Sequence, residues 1–253
     1  MKISRLSFVQ TLDMRISPAI RLTVALLLLA GGGNAFAEKN LPSADELMQG
    51  VRRNMPMDPL DVNARIRTRN RQGDVRNEQQ LDIRLRLGEM PCEAGYTLRS
   101  LFGGFLQSVR IRLNAESGIP EIWKKSEEAG SEEPVEQLYA PIENTELNWL
   151  DVSLGFLWWP GGVIAGQEKK PGRDAVIVDL PSPDAHGPYE GVRLWVDPEI
   201  YAVLEIEAYD KNRERQKRLQ VKRLRKHNDK WFLKELEVLN VQTFRRTNII
   251  IYF

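Results

Sequence analysis

From residue 62 onward the chain alternates. Val62, Ala64, Ile66 and Thr68 are interleaved with Asn63, Arg65, Arg67 and Arg69, the two-residue period of a strand with one dry and one wet face. Gln72-Gly73-Asp74 supplies a turn, after which Leu81, Ile83, Leu85 and Leu87 form a second dry row against Asp82, Arg84 and Arg86. Further strands are predicted at Cys92 to Arg99, Ser108 to Leu113, Glu121 to Ser126, Val135 to Ala140, Val163 to Glu168 and Ala175 to Leu180. In the last third, Val192, Leu194 and Val196 lie in phase opposite Arg193 and Trp195, then turn through Asp197-Pro198-Glu199 into Leu204, Ile206 and Ala208. Leu219 and Val221 follow. The in-out order slips before Leu224, which predicts a bulge. Trp231 to Leu239 and Phe244 to Phe253 complete the series, with Asn228-Asp229 as the turn between the last two long runs.

The helical signals are few. Ser43-Ala44-Asp45-Glu46 is a capping box that opens a helix through about Arg53, stopped by Pro56 and Pro59. A second box, Asn148 with Asp151, starts a helix at Trp149 that must end by Pro160-Gly161-Gly162. At 100° per residue, Leu150, Leu154, Leu157 and Trp158 fall on one arc and Trp149, Val152, Phe156 and Trp159 on the other. A helix with two apolar sides needs something beyond the sheet to meet the second one. We assign the first arc to packing and the second to a ligand.

These elements predict a mainly β fold of about ten or eleven antiparallel strands in one domain, residues 38–253. At about 4.8 Å per strand such a sheet is roughly 50 Å across, whereas one helix covers about 10 to 12 Å. Two helices cannot cover it, so the sheet must curl into a barrel or half-barrel whose inner face is either filled or left hollow.

The N-terminal segment follows different rules. Lys2, Arg5, Arg15 and Arg21 precede the apolar run Leu22 to Ala30, and Ala35-Phe36-Ala37 is a small-x-small site. This is the grammar of a secretory signal peptide cleaved after Ala37, with Met14 an alternative start. It predicts an exported, soluble, periplasmic protein. The remaining 216 residues carry 32 basic and 34 acidic side chains, a near-neutral balance that argues against nucleic acid as a partner. Acids concentrate in 116–151 and bases in 211–230.

Catalytic chemistry finds little support. The chain has one cysteine, Cys92, which reads as a small buried hydrophobe, and two histidines, His186 and His227, both in polar turns. H-E-x-x-H, paired C-x-x-C, G-x-S-x-G and phosphate-loop motifs are absent from the sequence. Glu205/Glu207 and Glu235/Glu237 alternate with apolar residues and point to solvent. The reading is a non-enzyme without metal or cofactor.

What remains is apolar. Trp149, Val152, Phe156, Trp158 and Trp159, with the Ile83 row, Leu85 and Leu194, are the candidate ligand-binding residues, a container for something greasy. One 16-carbon acyl chain is worth on the order of 12 kcal/mol of burial at about 0.8 kcal/mol per methylene, so such cargo needs shielding in water.

At this point the chain resembles the outer-membrane lipoprotein-sorting proteins of the LolA/LolB-like superfamily. The likeness lies in Thr145-Glu146-Leu147 ahead of a short aromatic helix, LWVDPEIYAVLEIEAYD from Leu194 to Asp210, and the hairpin through LKELEVLN. DELMQGVRRN at Asp45 to Asn54 and PCEAGYTLRSLFG at Pro91 to Gly103 extend it. Ile200 and Asn228-Asp229-Lys230 depart from it by lacking a turn glycine. The resemblance implies a half-open barrel whose concave face, under short lid helices, accepts lipoprotein acyl chains. It further implies an inner-membrane release complex and an outer-membrane acceptor as partners, and an inward arginine that holds the lid, with Arg65, Arg67 and Arg69 as candidates. Lipid sensing or envelope-stress regulation through the same hollow is the competing reading.

Overall fold

Thirteen antiparallel strands form one continuous sheet in a computed structural model that describes residues 41–88, 91–113, 119–227 and 230–252. The signal peptide expected at residues 1–37 and the turn expected at Asn228-Asp229 lie outside the described residues. Pro42–Phe253 is one compact unit.

The sheet is two meanders joined back to back. Strands β1 (Leu60–Arg69), β2 (Val75–Arg86), β3 (Cys92–Arg99), β4 (Phe105–Leu113), β5 (Pro120–Lys125) and β6 (Glu133–Pro134) make the first. Strands β7 (Val163–Lys170), β8 (Arg173–Pro181), β9 (Gly191–Asp197), β10 (Ala202–Tyr209), β11 (Arg215–His227), β12 (Lys230–Asn240) and β13 (Arg246–Tyr252) make the second. The first strand pairs with the last, Ala64 with Ile251 and Thr68 with Thr247, while β6 and β7 end the sheet as unpaired edges, so the barrel stays open.

The alternating rows fall as the periodicity requires except at Leu204, expected in line with Ile206 and Ala208, which an irregularity in β10 between Val203 and Glu205 places in a separate cluster with Trp195 and Ala175. Ala64, Ile66, Leu81, Ile83, Val192, Leu194, Val196, Ile206, Leu219 and Ile249 belong to one core on the concave side. Arg67 pairs with Glu78, Arg86 with Asp61 and Arg193 with Asp179 on the other face. Trp195 also faces outward, but it is buried there, stacked under Lys170 at 4.2 Å and donating to Glu168 Oε2 at 2.6 Å. The bulge appears where the phase slips, between Val221 and Leu224. Cys92 is buried.

Two expected elements change. Val135 donates to Ile122 O at 2.8 Å, and the chain then leaves the sheet for a turn at Leu138–Ala140, so the strand expected at Val135 to Ala140 does not form; the two-residue β6 ends just before it. The turn after β9 forms without glycine because Asp197 Oδ1 accepts from the amides of Glu199 and Ile200, while Tyr201 takes φ 47°.

Helix α1 (Ala44–Arg53) has both halves of its capping box, Glu46 N to Ser43 Oγ at 3.2 Å and Ser43 N to Glu46 Oε2 at 2.8 Å. It buries Leu47, Met48 and Val51. Helix α2 (Trp149–Ser153) is only five residues long, followed by a 3-10 turn at Gly155–Trp158.

Candidate functional site

The segment between the two meanders, residues 135–162, roofs the concave face, and its own sequence sets its shape. Thr145 Oγ donates to Ile142 O at 2.6 Å and accepts from Leu147 N at 3.2 Å, closing a tight turn in which Asn144 takes φ 57°. Glu146 then docks this turn on the sheet: its amide donates to Thr247 Oγ1 at 2.9 Å, and its carboxylate meets Asn240 Nδ2 at 3.0 Å and Arg245 Nε at 2.9 Å. The Thr-x-Leu motif is thus a hinge nailed to β12 and β13.

Asn148 and Asp151 cap α2 reciprocally, each side chain accepting from the other's amide at 2.9 Å. Asp151 has a second duty. Lys217 Nζ, rising from the concave face of β11, lies 2.5 Å from Asp151 Oδ2, and both side chains are under 10 % exposed (9 and 6 %). Burial pulls the Lys217 pKa down, but the Asp151 carboxylate and the Tyr189 hydroxyl outweigh it, leaving the ammonium above its usual value. Asn148 Nδ2 donates to Tyr189 OH at 3.2 Å, and the Tyr189 ring meets Tyr139 edge-on at 5.4 Å.

The helix stops early for a local reason. Ser153 Oγ donates back to Leu150 O at 2.8 Å and accepts from Gly155 N at 3.1 Å, which competes with continuation of the helix. Leu154 turns left-handed at φ 54°. The continuous helix expected from Trp149 to Leu157 is therefore broken, and its two arcs do not stay on opposite sides. Arg52 of α1 donates to Leu157 O at 2.7 Å and Tyr96 OH to Val152 O at 2.9 Å, clamping the broken segment from both flanks. Burial drives the Tyr96 pKa upward, so the phenol stays a neutral donor; its ring keeps some accessibility because it lines the hollow beneath.

That hollow encloses about 360 Å³. Its wall is drawn from β1–β4 and β10–β13, including Val62, Ile83, Leu98, Val109, Leu219 and Ile249, which is only possible in a strongly curled sheet. Of the candidate ligand residues, Ile83, Leu85, Val152, Phe156 and Trp158 line it, joined by Leu154 and Leu157 from the arc assigned to packing. Trp149 and Trp159 are buried away from its wall, and Leu194 sits fully buried in the packed core. The candidates for an inward arginine are also misplaced. Arg65 and Arg67 pair with Glu78, and Arg69 donates to Gly73 O, all on the face opposite the buried Ala64, Ile66 and Thr68. The cation that reaches the lid helix from the sheet is Lys217, which sequence reasoning missed although it stands in phase with Leu219 and Val221.

Among the described residues there is no group of three or more potential metal ligands, and no helix is long and apolar enough to cross a membrane.

A family model described only as an uncharacterized protein matches residues 151–252, from the lid to the last strand. No curated protein matches the sequence. Solved structures match over most of the chain. A DUF1329 family protein from Desulfovibrio piger superposes with a TM-score of 0.70 at 15% identity, covering 81% of this chain and 88% of that one. A domain described as an outer membrane lipoprotein-sorting protein, from Vibrio parahaemolyticus, gives 0.73 at 15%, covering 82% and 89%. A LolA superfamily protein from Nitrosomonas europaea gives 0.66 at 12%, covering 84% and 93%. The open antiparallel sheet superposes on these proteins over more than four fifths of this chain, which gives it a LolA-like fold.

Proposed function

We propose that this protein is a periplasmic carrier that holds lipoprotein acyl chains in its hollow and passes them toward the outer membrane, without covalent chemistry of its own. The observation that carries the reading is the hollow: the wall is apolar, and the roof is a separately pinned segment rather than a strand of the sheet. An apolar space of this kind favours an alkyl chain over water. The N-terminal segment up to Ala37 supplies the export signal. Fold likeness to sorting proteins supports the ligand class and leaves the direction of transfer to experiment. Native mass spectrometry of the protein taken from its own envelope fraction tests this. A co-purifying lipid or acylated peptide is the expected result; ligand-free protein that also fails to take up a fluorescent fatty acid would overturn it.

A further inference from the structure

Two glutamines stand in the concave wall where its alternation calls for apolar residues. Gln79 is in phase with Leu81 and Ile83 on β2, and Gln107 with Val109 and Ile111 on β4. Each continues a cross-strand row that lines the hollow: Leu236, Ile249 and Ile66 lead to Gln79, and Leu81 and Leu98 lead to Gln107. Both residues are only 6% exposed, and among the described residues neither carbonyl oxygen has a hydrogen-bond partner. An unmet buried acceptor is costly, and a leucine at either position would remove that cost.

The place of the two amides in the wall indicates where a donor would come from. Asn54 and Tyr201 are exposed yet line the hollow, held together by Asn54 Nδ2 to Ile200 O at 2.7 Å, at the end of the sheet that carries Leu60 and Leu85. The hollow opens there. Gln79 lies about 20 Å along β2 from Leu85, and Gln107 equally far along β4 from Leu113. A ligand that keeps its charged end in water at the opening meets these amides with the middle or far part of its chain. Water is a poorer partner, because a buried water needs about two to four polar groups and the cross-strand neighbours Ile66 and Leu98 offer it none.

We propose that Gln79 and Gln107 form a polar subsite of the hollow that accepts a hydrogen bond from a hydroxyl on the ligand's alkyl chain, so that the preferred cargo is a hydroxylated long-chain acyl group. The proposal rests on the reading of the hollow as an acyl-chain site. A site built to bond a hydroxyl discriminates against the analogue that lacks it, since that analogue leaves the buried carbonyls unmet.

Displacement of bound cis-parinaric acid, a fluorescent fatty acid, by 12-hydroxystearic acid and by stearic acid tests this on the parent protein. The hydroxy acid is expected to compete about fivefold better although it is the less apolar ligand, the ratio that one net hydrogen bond of ordinary strength gives. Gln79→Leu and Gln107→Leu should each narrow that ratio, and together abolish it, with no fall in melting temperature and no loss of stearic acid binding. Equal competition by the two acids in the parent, as water at the amides would produce, or a preference that survives both substitutions together, would overturn the subsite and leave the carrier reading standing. Displacement by neither acid would overturn both.

Discussion

Lys217 is the residue on which the roof depends most. Removing one partner of a buried, hydrogen-bonded ion pair strands the other charge and typically costs about 3 to 5 kcal/mol, whereas replacing both with apolar groups is often close to neutral. Lys217→Met or Asp151→Leu alone should therefore lower stability by that amount, and the double variant should lose far less than the sum, as read by chemical denaturation; Asp151→Leu also forfeits its half of the α2 cap. The ammonium is raised above its usual value, so its contribution is complete below the unfolded lysine value of about 10.4 and is lost as pH rises through the folded value. Thermal stability of the parent should fall above about pH 10.4, and the Lys217→Met/Asp151→Leu protein should lack that step. Lysine is legible as a wet-face residue from composition, which is why the alternation Lys217, Leu219, Val221 was passed over; only the carboxylate on a distant loop makes an inward lysine tolerable. Leu194 gives the opposite case. It was expected to touch a ligand, yet it is fully buried in the core, so Leu194→Asp should cost several kcal/mol. Leu85→Asp, half-buried against the hollow, should cost less in melting temperature.

At the scale of elements, the break at Leu154 decides which lid residues do what. Trp149 is buried away from the hollow, and Trp158 is half-buried and lines it. Trp149→Ala should therefore lower stability by about 3 to 5 kcal/mol, the range for a core Trp truncation, and leave the affinity of a fluorescent fatty acid for the remaining folded protein unchanged. Trp158→Ala should reverse that ranking, weakening uptake with the smaller loss of stability. Leu154→Gly removes a left-handed leucine and should leave stability unchanged within about 1 kcal/mol; a larger loss by denaturation would show that the αL turn is not what breaks the helix. Strands and the two capping boxes were readable because alternation and N-cap chemistry are local. The end of α2 was not, since it rests on Ser153 bonding backward to Leu150, a competition that a wheel projection at fixed angle does not contain. Val135 to Ala140 misled for a related reason: apolar residues that pack into a roof look like a strand whose alternation has lapsed.

For the whole molecule, curvature followed from counting strands against helices, but the order of those strands did not. Nothing in the periodicity of β1 or β13 says that they pair, and their contact spans 179 residues between Thr68 and Thr247. Truncation after Asn240, which removes only β13, should abolish cooperative unfolding and fatty-acid uptake together, because it leaves two meanders with no shared ladder. The same pairing governs how the protein comes into being. Chains emerge N-terminus first, so β1 to β6 and the roof are complete while half of the wall has yet to appear. Until the final strand arrives, the Ile66, Leu81 and Ile83 rows face water without their partners, a slow closure of the kind that long-range β pairing imposes. The vessel is finished only once β13 has been made, and a nascent copy has nowhere to store a lipid.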